Sequence, residues 1–190
     1  GMGLAIATEF ARLGADVIIA SRKGEVLEKA AEKIRAEVQG ARIAHHVLDV
    51  RDHEAVDRFA DRVRDEHGPA TILVNNAAGN FVVPAAQLSP NGWRTVIDIV
   101  LNGTFYCTRA FGQRMMDANA KGTIINMIAT YAWTGGPGTV HSAAAKAGVL
   151  ALTQTLAVEW APFGIRVNAI APGPIERTGG AERLFGAPAI

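Results

Sequence analysis

The hydrophobic positions along the 190-residue chain alternate between two periods. Five short runs, ADVIIA (15–20), ARIAHHVL (41–48), TILVNNA (71–77), GTIINMIA (122–129) and GIRVNAIA (164–171), are rich in apolar and β-branched residues. Runs of that length and make-up predict strands, and their near-continuous apolar character predicts a parallel sheet covered on both faces. Between them the apolar residues fall at helical spacing. Leu27, Ala30, Ala31, Ile34 and Val38 share one stripe, and Val56, Phe59, Ala60 and Val63 share another. Ser89 and Pro90 read as the N-cap and first-turn proline of a helical segment over 90–117. Residues 140–161 read as a long helix of small residues that ends before Pro162. Strand and helix thus alternate from near the first residue to about 171. That order predicts an α/β fold, a Rossmann-type doubly wound parallel sheet in one domain over residues 1–190. The tail from Thr178 to Ile190 shows no clear element.

Composition narrows the partners. The formal net charge is +1, with 49% hydrophobic and 19% charged residues, which leaves no electrostatic footprint for nucleic acid. No apolar run reaches the roughly 18 residues that a membrane span needs, so neither nucleic acid nor membrane is expected as a partner. One cysteine, Cys107, excludes an internal disulfide framework and a Cys-rich metal site, and it suits a reducing compartment, the cytoplasm. His45 and His46 lie inside a strand pattern without metal-type spacing and read as structural, so no metal is expected. Cys107, Trp93 and Trp160 read as packing residues.

The chemistry begins at the first residue. In GMGLAIATEF, Gly1, Met2 and Gly3 lead straight into a helix. Such glycines let backbone approach a phosphate at a helix N-terminus, where free N–H groups favour anions. The strand that precedes glycines of this kind is absent from the sequence, so the chain is expected to lack parts of the fold at its ends. About 20 residues on, where an acid would bind the ribose 2′-hydroxyl of NAD, stand Ser21, Arg22 and Lys23. Two cations and a hydroxyl suit a 2′-phosphate, which favours NADPH over NADH; the competing reading is a solvated basic turn. Asp49 and Val50, after the run at 41–48, have two readings: contact with the adenine, or capping of a helix that starts near His53. In TVHSAAAKAG (139–148), Lys146 stands among small apolar residues with no acid nearby, and Ser142 lies one helical turn earlier on the same face.

NNAAGNF (75–81), the front glycines, Asn102, Lys146 and Pro172-Gly173 together resemble the short-chain dehydrogenase/reductase family over residues 1 to about 178. The resemblance implies a nicotinamide cofactor, with Lys146 on the nicotinamide ribose and Asn102 supporting that lysine through water. It also implies backbone contacts from Asn76 and Ala77 to the adenosine half, and Pro172, Gly173 and Ile175 beside the nicotinamide. The family's usual threonine after PGxx is displaced here, with Arg177 at its place and Thr178 one later. Most members carry a catalytic tyrosine four residues before the lysine, where this chain has Ser142, and serine is poorly matched to that acid–base role.

LSPNGW (88–93), DIVLNGT (98–104), Tyr131, SAAAKAG (142–148) and PGPI (172–175) are similar, within that family, to the 2,4-dienoyl-CoA reductases. There the tyrosine has moved to a loop ahead of the lysine, and Tyr131 stands in that place, with Asn80 and Ser142 also matching. The resemblance implies hydride from NADPH to C5 of a 2,4-dienoyl-CoA thioester in unsaturated fatty-acid breakdown. Tyr131 and Asn80 would hold the charge of the dienolate as an oxyanion hole, and protonation at C2 would give a 3-enoyl-CoA. Alternatives are reduction of a trans-2-enoyl-CoA and a non-catalytic NADPH sensor. Association into dimers or tetramers through 90–117 and 140–161 is expected by the same resemblance. His141, beside Ser142, titrates near neutrality in general, and its direction is not fixed by the pattern.

Overall fold

The computed structural model describes residues 1–173 and residue 175. Arg177, Thr178 and the tail lie outside the described residues. The chain divides into two compact units, one from Gly1 to Asp49 and one starting at Val50.

The first unit runs α1 (Met2–Arg12), β1 (Val17–Ser21), α2 (Gly24–Glu37) and β2 (Ile43–Val47). The two strands pair in parallel, Val17 opposite Ile43 through Ser21 opposite Val47. Parallel pairing needs a crossover, and α2 supplies it. Its predicted stripe is the buried one: Leu27, Ala31 and Ile34 face inward. Ala7 and Ala11 of α1 meet Ile34 and, around it, Val17, Ile19 and Ile43.

The second unit runs α3 (His53–His67), β3 (Ile72–Asn75), α4 (Pro90–Ile97), α5 (Gly103–Asp117), β4 (Gly122–Met127), α6 (Tyr131–Thr134), α7 (Val140–Glu159) and β5 (Ile165–Ile170). Its strands form a parallel sheet in the order β3-β4-β5. The Rossmann-type parallel α/β class expected from the sequence is present, β1 and β2 pairing in the first unit and β3, β4 and β5 in the second. The helix expected over 90–117 is present but changes pitch. Ser89 caps it, its hydroxyl accepting from the Gly92 N–H at 3.1 Å, and Asp98–Asn102 form a π-helical turn before α5. Such turns insert an extra residue into a helix and recur at functional sites.

Two apolar clusters hold this unit. Val96, Val100, Ile128, Ala145 and Val149 pack α4 and the π turn onto α7, while Met115, Ile124, Trp160, Ile165 and Val167 pack around β4 and β5. Trp160 is buried as expected, and so is Cys107, whose thiol burial pushes up to about 12. Trp93 departs from expectation: it lies on the outer face of α4, 40% exposed. Asp49 and Val50 do not cap α3, because Asp52 does, accepting from the Ala55 N–H at 2.9 Å.

Polar side chains run through the middle of this core. Asn75 Nδ2 donates to Thr108 Oγ1 at 2.9 Å and to Asn126 Oδ1 at 2.8 Å. Asn126 Nδ2 donates to Thr153 Oγ1 at 2.9 Å, and Thr153 donates to the Val149 carbonyl at 2.7 Å. These bonds tie β3 to β4, and both strands to α5 and α7. All four side chains are buried, so each bond lost leaves a polar group without water. Asn126→Ala removes one of the two partners of Asn75 Nδ2 and of the Thr153 hydroxyl and leaves a small cavity, and it should destabilise the protein by about 2–4 kcal/mol. Urea denaturation checks this; a loss under about 1 kcal/mol would show that the network is not a structural tie.

Candidate active site

In the second unit, the ends of β3, β4 and β5 present the residues that carry chemistry. The loop after β3 carries Asn76, Ala77 and Asn80, and the turn after β4 leads to Tyr131 on α6. Asn75 and Asn126 are direct register partners at those two strand ends. The loops therefore start from neighbouring points. Tyr131, expected on a loop, opens the four-residue helix α6.

Three side chains meet there. The Tyr131 hydroxyl lies 3.0 Å from Ser142 Oγ on the first turn of α7, and Asn80 Nδ2 approaches the same hydroxyl at 3.4 Å. Ser142 is buried, whereas Tyr131 and Asn80 are half-buried, so the cluster opens toward solvent on the Tyr131–Asn80 side. The amide orientation of Asn80 is fixed, because its Oδ1 accepts the Phe81 N–H at 2.9 Å. Its N–H groups are thus left for Tyr131 and for an incoming group.

Lys146 sits one turn beyond Ser142 and is buried. Its ammonium donates to the Met127 carbonyl at the end of β4, not to Tyr131. Burial lowers its pKa from 10.5 to about 8. The sequence places a cation here without an acid, and among the described residues none pairs with it: one carbonyl oxygen stands in. Asn102 closes the π turn, its amide donating to Asp98 Oδ1 at 2.8 Å. His141 is fully buried beside Ser142 and turned onto the Phe81 ring, with centroids 4.4 Å apart. Burial lowers its pKa, a shift the nearby Thr139 backbone opposes.

The residues expected around a nucleotide lie in both units. In the first unit, α1 starts at Met2 with Gly1 at its N-cap and no side chain on its free N–H groups. A Cβ on Gly1 would meet nothing within 4 Å, so the helix end is open to a phosphate. Arg22 and Lys23 are exposed between β1 and α2, and neither forms an ion pair among the described residues. In the second unit, Asn76 Oδ1 is buried without a hydrogen-bond partner among the described residues. Ala77 is exposed. Val50 packs on the start of α5, where a Cβ on Gly103 would stand 2.6 Å from its Cγ2. Pro172, Gly173 and Ile175 follow the carboxyl end of β5. Taken by themselves, the open helix end and two exposed cations of the first unit suit phosphate groups, and in the second unit the buried Lys146 amine and the Asn76 amide oxygen offer a donor and an acceptor to a ligand.

A family model for short chain dehydrogenase matches residues 1–187, and the chain belongs to that family. A relative in Bacillus subtilis (strain 168), named "Probable 2,4-dienoyl-CoA reductase [(2E)-enoyl-CoA-producing]", is 53% identical over 97% of this chain and 72% of its own length. The "Peroxisomal 2,4-dienoyl-CoA reductase [(3E)-enoyl-CoA-producing]" of Danio rerio is 41% identical over 98% of this chain and 61% of its own. A crystal structure of a short chain dehydrogenase from Bacillus anthracis superposes with a TM-score of 0.90, at 55% identity, covering 94% of this chain and 72% of that one. The chain is thus an oxidoreductase of this family, spanning about three-fifths to three-quarters of the length of these relatives. No described helix is long and apolar enough to cross a membrane.

Sequence reasoning missed the Asn75–Thr108–Asn126–Thr153 network, although asparagine inside two apolar strand patterns was a visible signal. It also left the Phe81–His141 contact unread, since no spacing links residues 60 positions apart.

The lysine yields a test with a definite sign. Below pH 8 the folded protein carries a charged amine that it disfavours relative to the unfolded chain. Between pH 8 and 10.5 the folded state has released that proton while the unfolded state retains it, so stability rises through this window. Lys146→Met should therefore be more stable than wild type at pH 7, by on the order of 3 kcal/mol for a shift of this size. The gap should close by pH 10.5. Denaturant midpoints at the two pH values measure it, and an unchanged gap would mean that Lys146 does not titrate as its burial dictates.

Proposed function

We propose that the protein is an NADPH-dependent 2,4-dienoyl-CoA reductase of unsaturated fatty-acid breakdown. The observation that carries this reading is the convergence of Asn80 Nδ2, the Tyr131 hydroxyl and Ser142 Oγ on one point. The names of the two relatives support the substrate class.

A reduced nicotinamide supplies the hydride that adds to C5 of the dienoyl thioester. The electron pair then runs through the conjugated chain to the thioester oxygen. The chain's own residues hold that charge: the Tyr131 hydroxyl and an Asn80 N–H donate to the oxygen, and no strong acid is required beside it. Protonation of the dienolate at C2 gives a 3-enoyl-CoA, whereas protonation at C4 would give a 2-enoyl-CoA. We assign C2, with water as the proton source ordered by Ser142. Arg22 and Lys23 would take the 2′-phosphate of the cofactor, with α1 receiving its diphosphate at Gly1, Met2 and Gly3. Asp49 and Val50 would lie at the adenine, and Asn76 and Ala77 along the adenosine half. Lys146 would hold the nicotinamide ribose with support from Asn102, and Pro172, Gly173 and Ile175 would flank the nicotinamide. Lys146 would exchange its Met127 contact for ribose hydroxyls. We further propose that residues 1–190 act as one reductase domain, in a homodimer or homotetramer in the cytoplasm.

NADPH oxidation with a 2,4-dienoyl-CoA and a matched 2-enoyl-CoA tests the reading. Turnover is expected with the dienoyl substrate, and Tyr131→Phe or Asn80→Ala should each lower it by about 100-fold or more. NMR of the product fixes the double bond at C3. NADPH binding without turnover of either thioester would leave the sensor in place of the enzyme. A C2 double bond would keep the reductase and reassign the protonation site to C4.

A further inference from the structure

We propose that Phe81 and His141 are positioning residues for Asn80, holding its amide so that the donor side faces the Tyr131 hydroxyl; this rests on the reading of Asn80 as an oxyanion donor. An asparagine amide has chemically different ends, and rotation by a half turn would exchange them. In this structure the Phe81 N–H decides. It donates to Asn80 Oδ1 at 2.9 Å, which leaves Nδ2 pointing at Tyr131. Rotation of the amide would set Nδ2 against the Phe81 N–H, donor against donor, and an acceptor against the hydroxyl.

The Phe81 backbone is in turn located by its ring. That ring meets His141 edge to face, at 4.4 Å between centroids and 77° between planes. On the α4 side it is confined by Gly92, where a Cβ would stand 3.0 Å from Phe81 Cζ. The His141 ring is fully buried, and neither nitrogen has a hydrogen-bond partner among the described residues. The T-shaped contact is what its flat ring provides and a leucine would not. His141 also precedes Ser142, whose hydroxyl reaches Tyr131. Asn80, Phe81, His141, Ser142 and Tyr131 therefore close into a ring of contacts, and the separation of the two oxyanion donors depends on the Phe81–His141 link. Gly92 belongs to this arrangement, since any side chain there would press on Phe81 from the far side.

The test uses one readout that needs no substrate and one that does. The side-chain amide signals of Asn80, assigned by their loss in Asn80→Asp, should shift in the NMR spectrum of Phe81→Leu and of His141→Ala. They should stay in place in Val158→Ala, a change on the exposed face of α7. Phe81 is 38% exposed, so Phe81→Leu preserves folding even if His141→Ala does not. With a 2,4-dienoyl-CoA, Phe81→Leu should lower kcat by about tenfold with KM changed less than about twofold. In the Asn80→Ala background it should cost nothing further, because its effect runs through Asn80. Unshifted Asn80 signals in both variants, or a loss that multiplies in the Asn80→Ala background, would overturn the proposal. Shifted signals in a protein that turns over no dienoyl thioester would keep the brace and overturn the reductase reading.

Discussion

The buried amide pair Asn75–Asn126 is the constraint on which the second unit depends. A parallel ladder fixes the register of β3 and β4, but backbone hydrogen bonds alone tolerate slippage by one residue when both faces are apolar. An amide facing an amide does not. Asn75 Nδ2 reaches Asn126 Oδ1 only in the observed register, and each amide has a further partner, Thr108 on α5 and Thr153 on α7. The two strands therefore end in step. The loop to Asn80 and the turn to Tyr131 leave from adjacent positions, and Met127, next after Asn126, offers its carbonyl to Lys146. Packing of Val100, Val149 and Ile124 makes the unit stable, while the amide network decides which groups arrive at the sheet's end together.

Much of the fold was legible in the chain. Strand positions followed from β-branched apolar runs, and the Ser89 cap and both helical stripes appear where their patterns put them. The π turn at Asp98–Asn102 was not legible, because the run DIVLN is apolar at successive positions and shows no stripe whose phase could be seen to shift. At the site, Tyr131, Asn80 and Ser142 were identified through a motif resemblance, and their convergence follows from the sheet. The Phe81–His141 contact had no local signature: it exists because two loops fold over the same sheet end. Trp93 shows the opposite failure, a large aromatic whose helix face turns outward.

Ser142 is the position where the chain departs from most of its family, and the geometry gives the departure a physical sense. A group that shuttles a proton must have an acidity near the working pH, and serine lacks it. A group that only supports another hydroxyl needs size and placement, and serine on the first turn of α7 has both. Asn80 N–H donates to the Tyr131 oxygen, and Ser142 is placed to donate to it as well. With its lone pairs engaged, the Tyr131 proton is free to point at an incoming oxygen. On the proposed reading, negative charge developing on that oxygen would draw the Tyr131 proton and the second Asn80 N–H, each bond polarising the next.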